Sequence, residues 1–108
     1  MTIETYTQDT DGGPVTREKE IELQLLKAVK KKGGRAVKFI SPGFDGMPDR
    51  LVLLPDGRCG FVEVKAPGKK MRALQLVRHE MLRALGFKAY MLDAKEQIEE
   101  IINDIYTA

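Results

Sequence analysis

A three-residue turn between two apolar segments constrains the fold of this chain more than any other feature. Residues 51–54 read LVLL and residues 60–65 read GFVEVK, with Pro-Asp-Gly at 55–57 between them. Proline followed by Asp-Gly favours a type I turn closed by a G1 bulge, in which the glycine takes the left-handed region. A loop of this length pairs Leu54 with Arg58, so the pattern predicts a β-hairpin with a defined register.

The hairpin register decides where two carboxylates lie. Counting back from the turn places Asp49 directly opposite Glu63. Opposed residues share a sheet face, with Cβ atoms about 4.5–5.5 Å apart. Lys65 points to the same face because it follows Glu63 by two positions. A two-residue turn would put the carboxylates on opposite faces, so the loop length determines whether an acidic site forms.

Charged groups inside apolar strands indicate chemistry when they converge. Burying an ionised group is costly unless it is paired or binds a metal. Neighbouring carboxylates with no nearby His or Cys suit Mg²⁺ or Mn²⁺ rather than zinc. Lys65 would then position an attacking water or stabilise charge on a phosphate. The alternative is an ordinary Glu63–Lys65 pair on a solvated strand. Asp49 at register distance favours a magnesium-dependent phosphodiesterase instead.

Helical and strand patterns flank the hairpin and predict an α/β domain. Helices are expected at 17–32, 72–85 and from about 93 to 106, with further strands at 36–40 and 87–92. A right-handed crossover through the second helix would make the last strand parallel to the strand of Glu63. The order α-β-β-β-α-β-α predicts a mixed central sheet flanked by helices.

Each helix has an expected buried side. The predicted inward residues are Ile21, Leu25, Ala28 and Val29 in the first helix, Met71, Leu74, Met81, Leu82 and Leu85 in the second, and Ile98, Ile101, Ile102 and Ile105 in the third. Asp93 with Glu96 resembles a capping box that starts the third helix.

Length and composition limit the remaining possibilities. The chain of 108 residues suits one domain, expected at 16–108, preceded by a flexible arm at 1–15 that is rich in Thr, Asp and Gly. A net charge of +2 permits a nucleic-acid partner without arguing for one. The single cysteine, Cys59, excludes an internal disulfide. Without a long apolar run or a secretory signal pattern, a cytoplasmic protein with no membrane partner is expected.

The motifs together resemble the PD-(D/E)XK nuclease superfamily, whose signature matches Pro48-Asp49, a hairpin and Glu63-x-Lys65. More narrowly, about residues 17–95 resemble the compact VRR-NUC (virus-type replication–repair nuclease) domains of phages and bacteria. The segments that carry this resemblance are Glu18 through GG at 33–34, KF at 38–39, SPG at 41–43, GMPDR at 46–50, FVEVK at 61–65 and Gln75.

The resemblance implies further site residues. It places a glutamate of the first helix in the metal shell, for which Glu22 is favoured over Glu18 because it lies beside the core stripe, three residues before Leu25. It also implies that Gln75 lies near the active site and that the Val64 carbonyl is an additional metal ligand. The implied catalytic set is Glu22, Asp49, Glu63, Lys65 and Gln75, with Mg²⁺ or Mn²⁺ as cofactor.

DNA contact is expected from residues close to the site. The candidates are Lys38, Arg50, Gly68, Lys69, Lys70 and Arg72, which would give salt-dependent affinity without reading sequence. Residues 30–32 are interpreted as cations at a helix C-terminus. Arg78, His79 and Arg83 are interpreted as solvated residues.

By resemblance, the chain is a structure-selective endodeoxyribonuclease of phage or bacterial DNA repair. Branched DNA such as a Holliday junction is the implied substrate, because a two-fold symmetric homodimer would present two active sites to it. The loop at 41–48 and the Ile-rich last helix are candidate interfaces. The alternative is a non-catalytic module on the same fold that binds branched DNA or a replication partner.

Overall fold

A computed structural model describes residues 16–107, so the expected arm at 1–15 lies outside the described residues. The elements are α1 Arg17–Lys31, β1 Arg35–Lys38, β2 Arg50–Leu54, β3 Arg58–Val64, α2 Ala73–Ala84, β4 Ala89–Leu92 and α3 Ile98–Tyr106, with 3₁₀ turns at Pro55–Gly57 and Lys95–Gln97. The four strands form one sheet in the order β1-β2-β3-β4. The predicted α/β order and mixed sheet are confirmed.

The β2–β3 hairpin has the predicted register but a different turn. Leu54 pairs with Arg58 and Arg50 pairs with Val62. Asp56 has φ 67° and Gly57 has φ 73°, so two successive residues take the left-handed region. The type I prediction was wrong, because that turn would keep Asp56 at negative φ. Loop length rather than turn type therefore sets the register.

The main core lies on one side of the sheet, under α1 and α3. Its buried residues are Ile21, Leu25 and Val29 of α1, Val52, Leu54, Val62, Val64 and Leu92 of the sheet, and Ile98, Ile101, Ile102 and Ile105 of α3. Ala28 packs against this cluster while partly exposed. α3 approaches β3 closely, since a Cβ on Gly60 would meet the Ile105 side chain at 2.8 Å. The predicted stripes of α1 and α3 are confirmed.

The predicted apolar face of α2 is only partly confirmed, because two polar residues share the buried side with Leu82. Leu74 is 43% exposed and Leu85 is 66% exposed, whereas Gln75, His79 and Leu82 are buried. Gln75 and His79 turn inward together because they are four residues apart on the helix. His79 is therefore not solvated, and its two ring nitrogens have no hydrogen-bond partner among residues 16–107.

β3 and β4 pair in parallel, as predicted for two strands joined by a crossover through α2. The Lys65 N–H donates to the Leu92 carbonyl at 2.8 Å, just beyond the last residue of β3. After β4, the Asp93 backbone N–H donates to the Gln97 Oε1 atom at 3.0 Å, and the Gln97 Nε2 atom donates to the Asp93 Oδ1 atom at 2.9 Å. The predicted capping partner, Glu96, was wrong because the intervening 3₁₀ turn moves the start of α3 to Ile98.

Within residues 16–107, no helix combines the length and the apolar character needed to cross a bilayer.

Candidate active site

Asp49 and Glu63 come together where β2 begins and β3 ends. The Phe39 N–H donates to the Asp49 carbonyl at 2.9 Å, which extends the β1–β2 pairing by one residue. The Val64 N–H lies 3.3 Å from the Asp49 Oδ1 atom. The Asp49 carboxylate thus lies against the strand that carries Glu63, as the hairpin register predicts.

The electrostatics of Asp49 reflect this crowding. Burial, and next the negative charge of Glu63, raise the pKa of Asp49 to about 6. Glu22 raises it further, while the Val64 N–H and the Arg50 guanidinium act in the opposite direction. Ionising Asp49 therefore costs free energy in the metal-free protein. A cation between the two carboxylates would remove much of that cost.

Glu63 is held by two neighbours of different chemistry. Glu63 is only 5% exposed. Its Oε2 atom accepts a hydrogen bond from the Gln75 Nε2 atom at 3.0 Å and lies 3.4 Å from the Lys65 Nζ atom. The Gln75 amide oxygen accepts from the Arg72 N–H at 2.8 Å, at the start of α2. Both polar atoms of the Gln75 amide are thus hydrogen-bonded, the oxygen to Arg72 and the nitrogen to Glu63.

Glu22 reaches the same region but is occupied by Arg50. The Arg50 Nη2 and Nε atoms donate to the Glu22 Oε2 atom at 2.7 and 2.9 Å, and Nη1 donates to the Ala36 carbonyl at 3.0 Å. The Arg50 side chain is only 12% exposed. Three of the five N–H donors of Arg50 are thus bound within the protein, and its contact with DNA stays a prediction. Glu18, the alternative helix residue, is exposed.

Asp49 and Glu63 are the predicted carboxylate ligands that are not paired with an arginine. No three His, Cys, Asp or Glu side chains within residues 16–107 converge as a metal cluster, and Glu22 pairs with Arg50, so Glu22 as a further ligand stays a prediction. Magnesium in proteins commonly takes one or two carboxylates and completes its shell with waters and substrate phosphates. Asp49 and Glu63 fit that pattern, with the Val64 carbonyl as the third predicted protein ligand.

The loop at 41–48 is anchored to α2 by Arg78, a contact that was not predicted from sequence. The Arg78 guanidinium lies 3.8 Å from the centre of the Phe44 ring and donates to the Asp45 carbonyl at 2.7 Å. Gly46 has φ 91°, and a Cβ there would meet Leu74 at 2.7 Å. α2 therefore contacts both Glu63, through Gln75, and the loop that leads into Asp49.

The remaining predicted DNA contacts lie on the surface. Gly68 has φ 80° and open space around its Cα, and Lys69 and Lys70 are exposed beside it. Arg72 is exposed at the start of α2, and Lys38 is exposed at the end of β1. Four cationic side chains are thus available for solvent or a ligand close to the start of β2 and the end of β3.

Comparisons with known proteins place the chain in a family. No protein-family model matches it. The chain is 51% identical over 80 residues to the "Putative nuclease p44" of Acyrthosiphon pisum secondary endosymbiont phage 1, a match that covers 74% of this chain and 86% of that protein. A solved VRR_NUC domain superposes with a TM-score of 0.76 at 31% identity, covering 82% of this chain and 96% of the other. The chain therefore belongs to the VRR-NUC family of nuclease domains.

Proposed function

We propose that this protein is a metal-dependent endodeoxyribonuclease that hydrolyses phosphodiester bonds in branched DNA, such as Holliday junctions. The observation that carries the proposal is the convergence of Asp49 and Glu63 on one sheet face with the Lys65 ammonium 3.4 Å from Glu63. The nuclease designation of the phage relative and the VRR-NUC fold support it.

Asp49 and Glu63 would hold a Mg²⁺ or Mn²⁺ ion, with Val64 contributing its carbonyl. When bound, the ion supplies charge stabilisation for the scissile phosphate and favours ionisation of water. Gln75 keeps the Glu63 carboxylate in one orientation, because its own amide is fixed by the Arg72 N–H. Glu22 pairs with Arg50 and adds negative charge near Asp49, and we propose it as the further carboxylate that the ion would draw on.

Lys65 is proposed to orient the nucleophile. Its ammonium has three donors, of which one is directed at Glu63, so others can donate to a water or a phosphate oxygen. The attacking water loses a proton to solvent as its oxygen forms a bond to phosphorus. The bond from phosphorus to the leaving sugar oxygen breaks, and that oxygen takes a proton from solvent. Lys65 stabilises the negative charge that develops on the phosphate during this step.

DNA is proposed to lie along the exposed cations after β3. Lys69, Lys70 and Arg72 follow the catalytic strand directly, and Lys38 lies at the end of β1. Contacts of this kind bind phosphates and give affinity that falls with salt, without reading sequence. The exposed backbone at Gly68 would let a phosphate approach closely.

We further propose a homodimer that places two active sites on a four-way junction. The Ile-rich stripe of α3 cannot supply the interface, because Ile98, Ile101, Ile102 and Ile105 lie in the core. Leu76 and Val77 on α2 are 47% and 52% exposed and offer an apolar surface instead. Their substitution by glutamate should reduce the molar mass measured by light scattering if this surface forms the dimer.

A cleavage assay tests the nuclease proposal. End-labelled four-way junction, splayed duplex and linear duplex would be incubated with Mg²⁺ or Mn²⁺ and the wild type, Lys65→Ala or Lys30→Ala. Cleavage of the junction by the wild type and Lys30→Ala, with a loss of at least about a hundredfold in Lys65→Ala, is expected. If wild type and Lys65→Ala are equally inactive on every substrate while still binding DNA, the non-catalytic module is correct.

A further inference from the structure

A basic groove lies between α1 and the 3₁₀ turn that precedes α3. Its volume is about 490 Å³, and four lysines line it from two separate segments: Lys27 and Lys31 of α1 with Lys32 directly after it, and Lys95 of the turn. Ala28 and Ile98 provide apolar lining between these lysines. The proposed cleavage chemistry uses none of these residues.

The groove retains positive charge after its own ion pair is counted. Lys32 pairs with Glu99 at 3.7 Å, but Lys27, Lys31 and Lys95 form no ion pair with any residue in the 16–107 range. With Glu96 and Glu99 as its two acidic lining residues, the groove has a formal charge of +2. Its four lysines therefore outweigh the acidic side chains around them.

A helix C-terminus alone does not explain this arrangement. Cations in the last turn of a helix interact favourably with its dipole, and Lys30 and Lys31 occupy the last turn of α1. Lys27 lies one turn earlier, on the same side as Lys31, and Lys95 belongs to another element. Cations from two elements that line one concavity form a complementary surface for an anion.

The groove is connected to the end of the sheet that carries the active site. The Lys65 N–H donates to the Leu92 carbonyl at 2.8 Å, and Lys95 follows Leu92 by three residues. Three residues of extended chain span at most about 10 Å. Lys95 therefore lies within about 10 Å of Leu92, at the end of the sheet where β3 also finishes, so the groove begins near that end.

We infer that the groove binds the phosphate backbone of a second duplex arm when branched DNA occupies the active site. This inference rests on the proposed function, because it takes DNA as the substrate. Flexible lysines that surround a groove suit a phosphate chain, which presents repeated negative charge without a fixed base sequence. A linear duplex bound at the active site has no second arm to place there, so the groove would favour branched substrates.

The test compares two pairs of lysines on the same helix. Lys27→Ala/Lys31→Ala removes two groove cations. Lys19→Ala/Lys30→Ala removes the same charge from α1, and these two residues, eleven apart and so on one side of the helix, do not line the groove. Fluorescence anisotropy in EDTA would measure binding of each variant to a labelled four-way junction and to a linear duplex at several salt concentrations.

We expect Lys27→Ala/Lys31→Ala to bind the junction about tenfold more weakly and to reduce the slope of log affinity against log salt by about 1.8. Its affinity for the linear duplex should change less than about twofold, and the control pair should retain the junction affinity. Equal losses on both DNAs, equal losses in both variants, or no loss on the junction would each overturn the inference. The last result would favour an acidic protein segment as the occupant.

Cleavage by the wild type separates this inference from the proposed function. A protein that cleaves junctions but binds them equally well without Lys27 and Lys31 remains a nuclease with no second-arm groove. A protein that binds junctions through the groove but cleaves no DNA refutes only the nuclease proposal.

Discussion

Gln75 donates a hydrogen bond of 3.0 Å to Glu63, and both residues are buried. Removing the donor in Gln75→Ala should free the Glu63 carboxylate to rotate and leave the Arg72 N–H without its acceptor. Partners that orient metal ligands typically contribute 10–100-fold to metal affinity or activity, roughly the loss expected here. Titration of cleavage rate against Mn²⁺ would measure it. Glu80→Ala, an exposed change on the same helix, should leave that titration unaltered.

Asp49 should make the metal-free protein less stable as pH rises. Its pKa is about 6 in the folded protein and 3.8 in the unfolded chain, so the folded state binds more protons between these values. Stability from this group is therefore present below about pH 4 and lost as pH rises through 6. Since Asp49 is partly exposed, we expect Asp49→Asn to be about 1–2 kcal/mol more stable than the wild type at pH 7.5.

Urea denaturation in EDTA at pH 4.5 and pH 7.5 would measure this difference. Asn retains an oxygen for the Val64 N–H, so the comparison isolates the charge. A stability advantage that is the same at both pH values would contradict the assignment to Asp49 ionisation.

Metal binding should reverse the effect of Asp49 on stability. A ligand that binds only the folded state stabilises it by RT ln(1 + L/Kd), where L is the free ligand concentration, so the unfolding temperature rises with metal concentration, and a cation neutralises the repulsion between Asp49 and Glu63. We expect millimolar Mn²⁺ to raise the midpoint of the wild type but not that of Asp49→Asn or Glu63→Gln. Glu80→Gln, which removes an exposed carboxylate of α2, is the matched control and should respond as the wild type does.

The pair between Glu22 and Arg50 should contribute to stability through its burial. Glu22→Gln leaves the Arg50 charge without its counterion in a site where its side chain is 12% exposed. We expect a loss of about 1–3 kcal/mol, with partial recovery in Glu22→Gln/Arg50→Met. Chemical denaturation of the single and double variants measures both values. Unchanged stability in Glu22→Gln would show that the pair with Arg50 contributes no stability, and would leave Glu22 available for another role.

Arg78 should control the order of the loop that leads into Asp49. Arg78→Met removes the contact with the Phe44 ring and the hydrogen bond to the Asp45 carbonyl. Faster hydrogen exchange at 41–48 is expected, with a loss of about 1–2 kcal/mol in stability. Arg35→Met, an exposed change on β1, serves as control. Equal exchange in the two variants would show that the loop does not depend on Arg78.

The hairpin and its register could be predicted because both depend on residues close in sequence. The length of the turn at Pro55–Gly57 fixed the pairing even though the left-handed φ of Asp56 was not expected. The apolar stripes of α1 and α3 also follow from the spacing of residues within each helix. For both helices, the residues predicted to be buried pack in the core.

The inward face of α2 could not be predicted from hydrophobicity. Gln75 is buried because Glu63, twelve residues earlier, accepts its hydrogen bond, and Leu74 is left partly exposed as a result. The pair between Glu22 and Arg50 joins residues 28 positions apart, so no local pattern indicates it. Polar contacts that close the site depend on tertiary structure, and sequence spacing alone does not specify them.

The hydrogen bond from Lys65 to Leu92 has a consequence for the order of folding. Asp49, Glu63 and Lys65 belong to a hairpin segment that can form within microseconds, but its parallel neighbour arrives only after the α2 crossover. During synthesis, a chain that ends before Leu92 contains both proposed metal ligands without the strand that completes their sheet. The proposed competence to cut DNA should therefore appear only after Leu92 has been synthesised, late in translation.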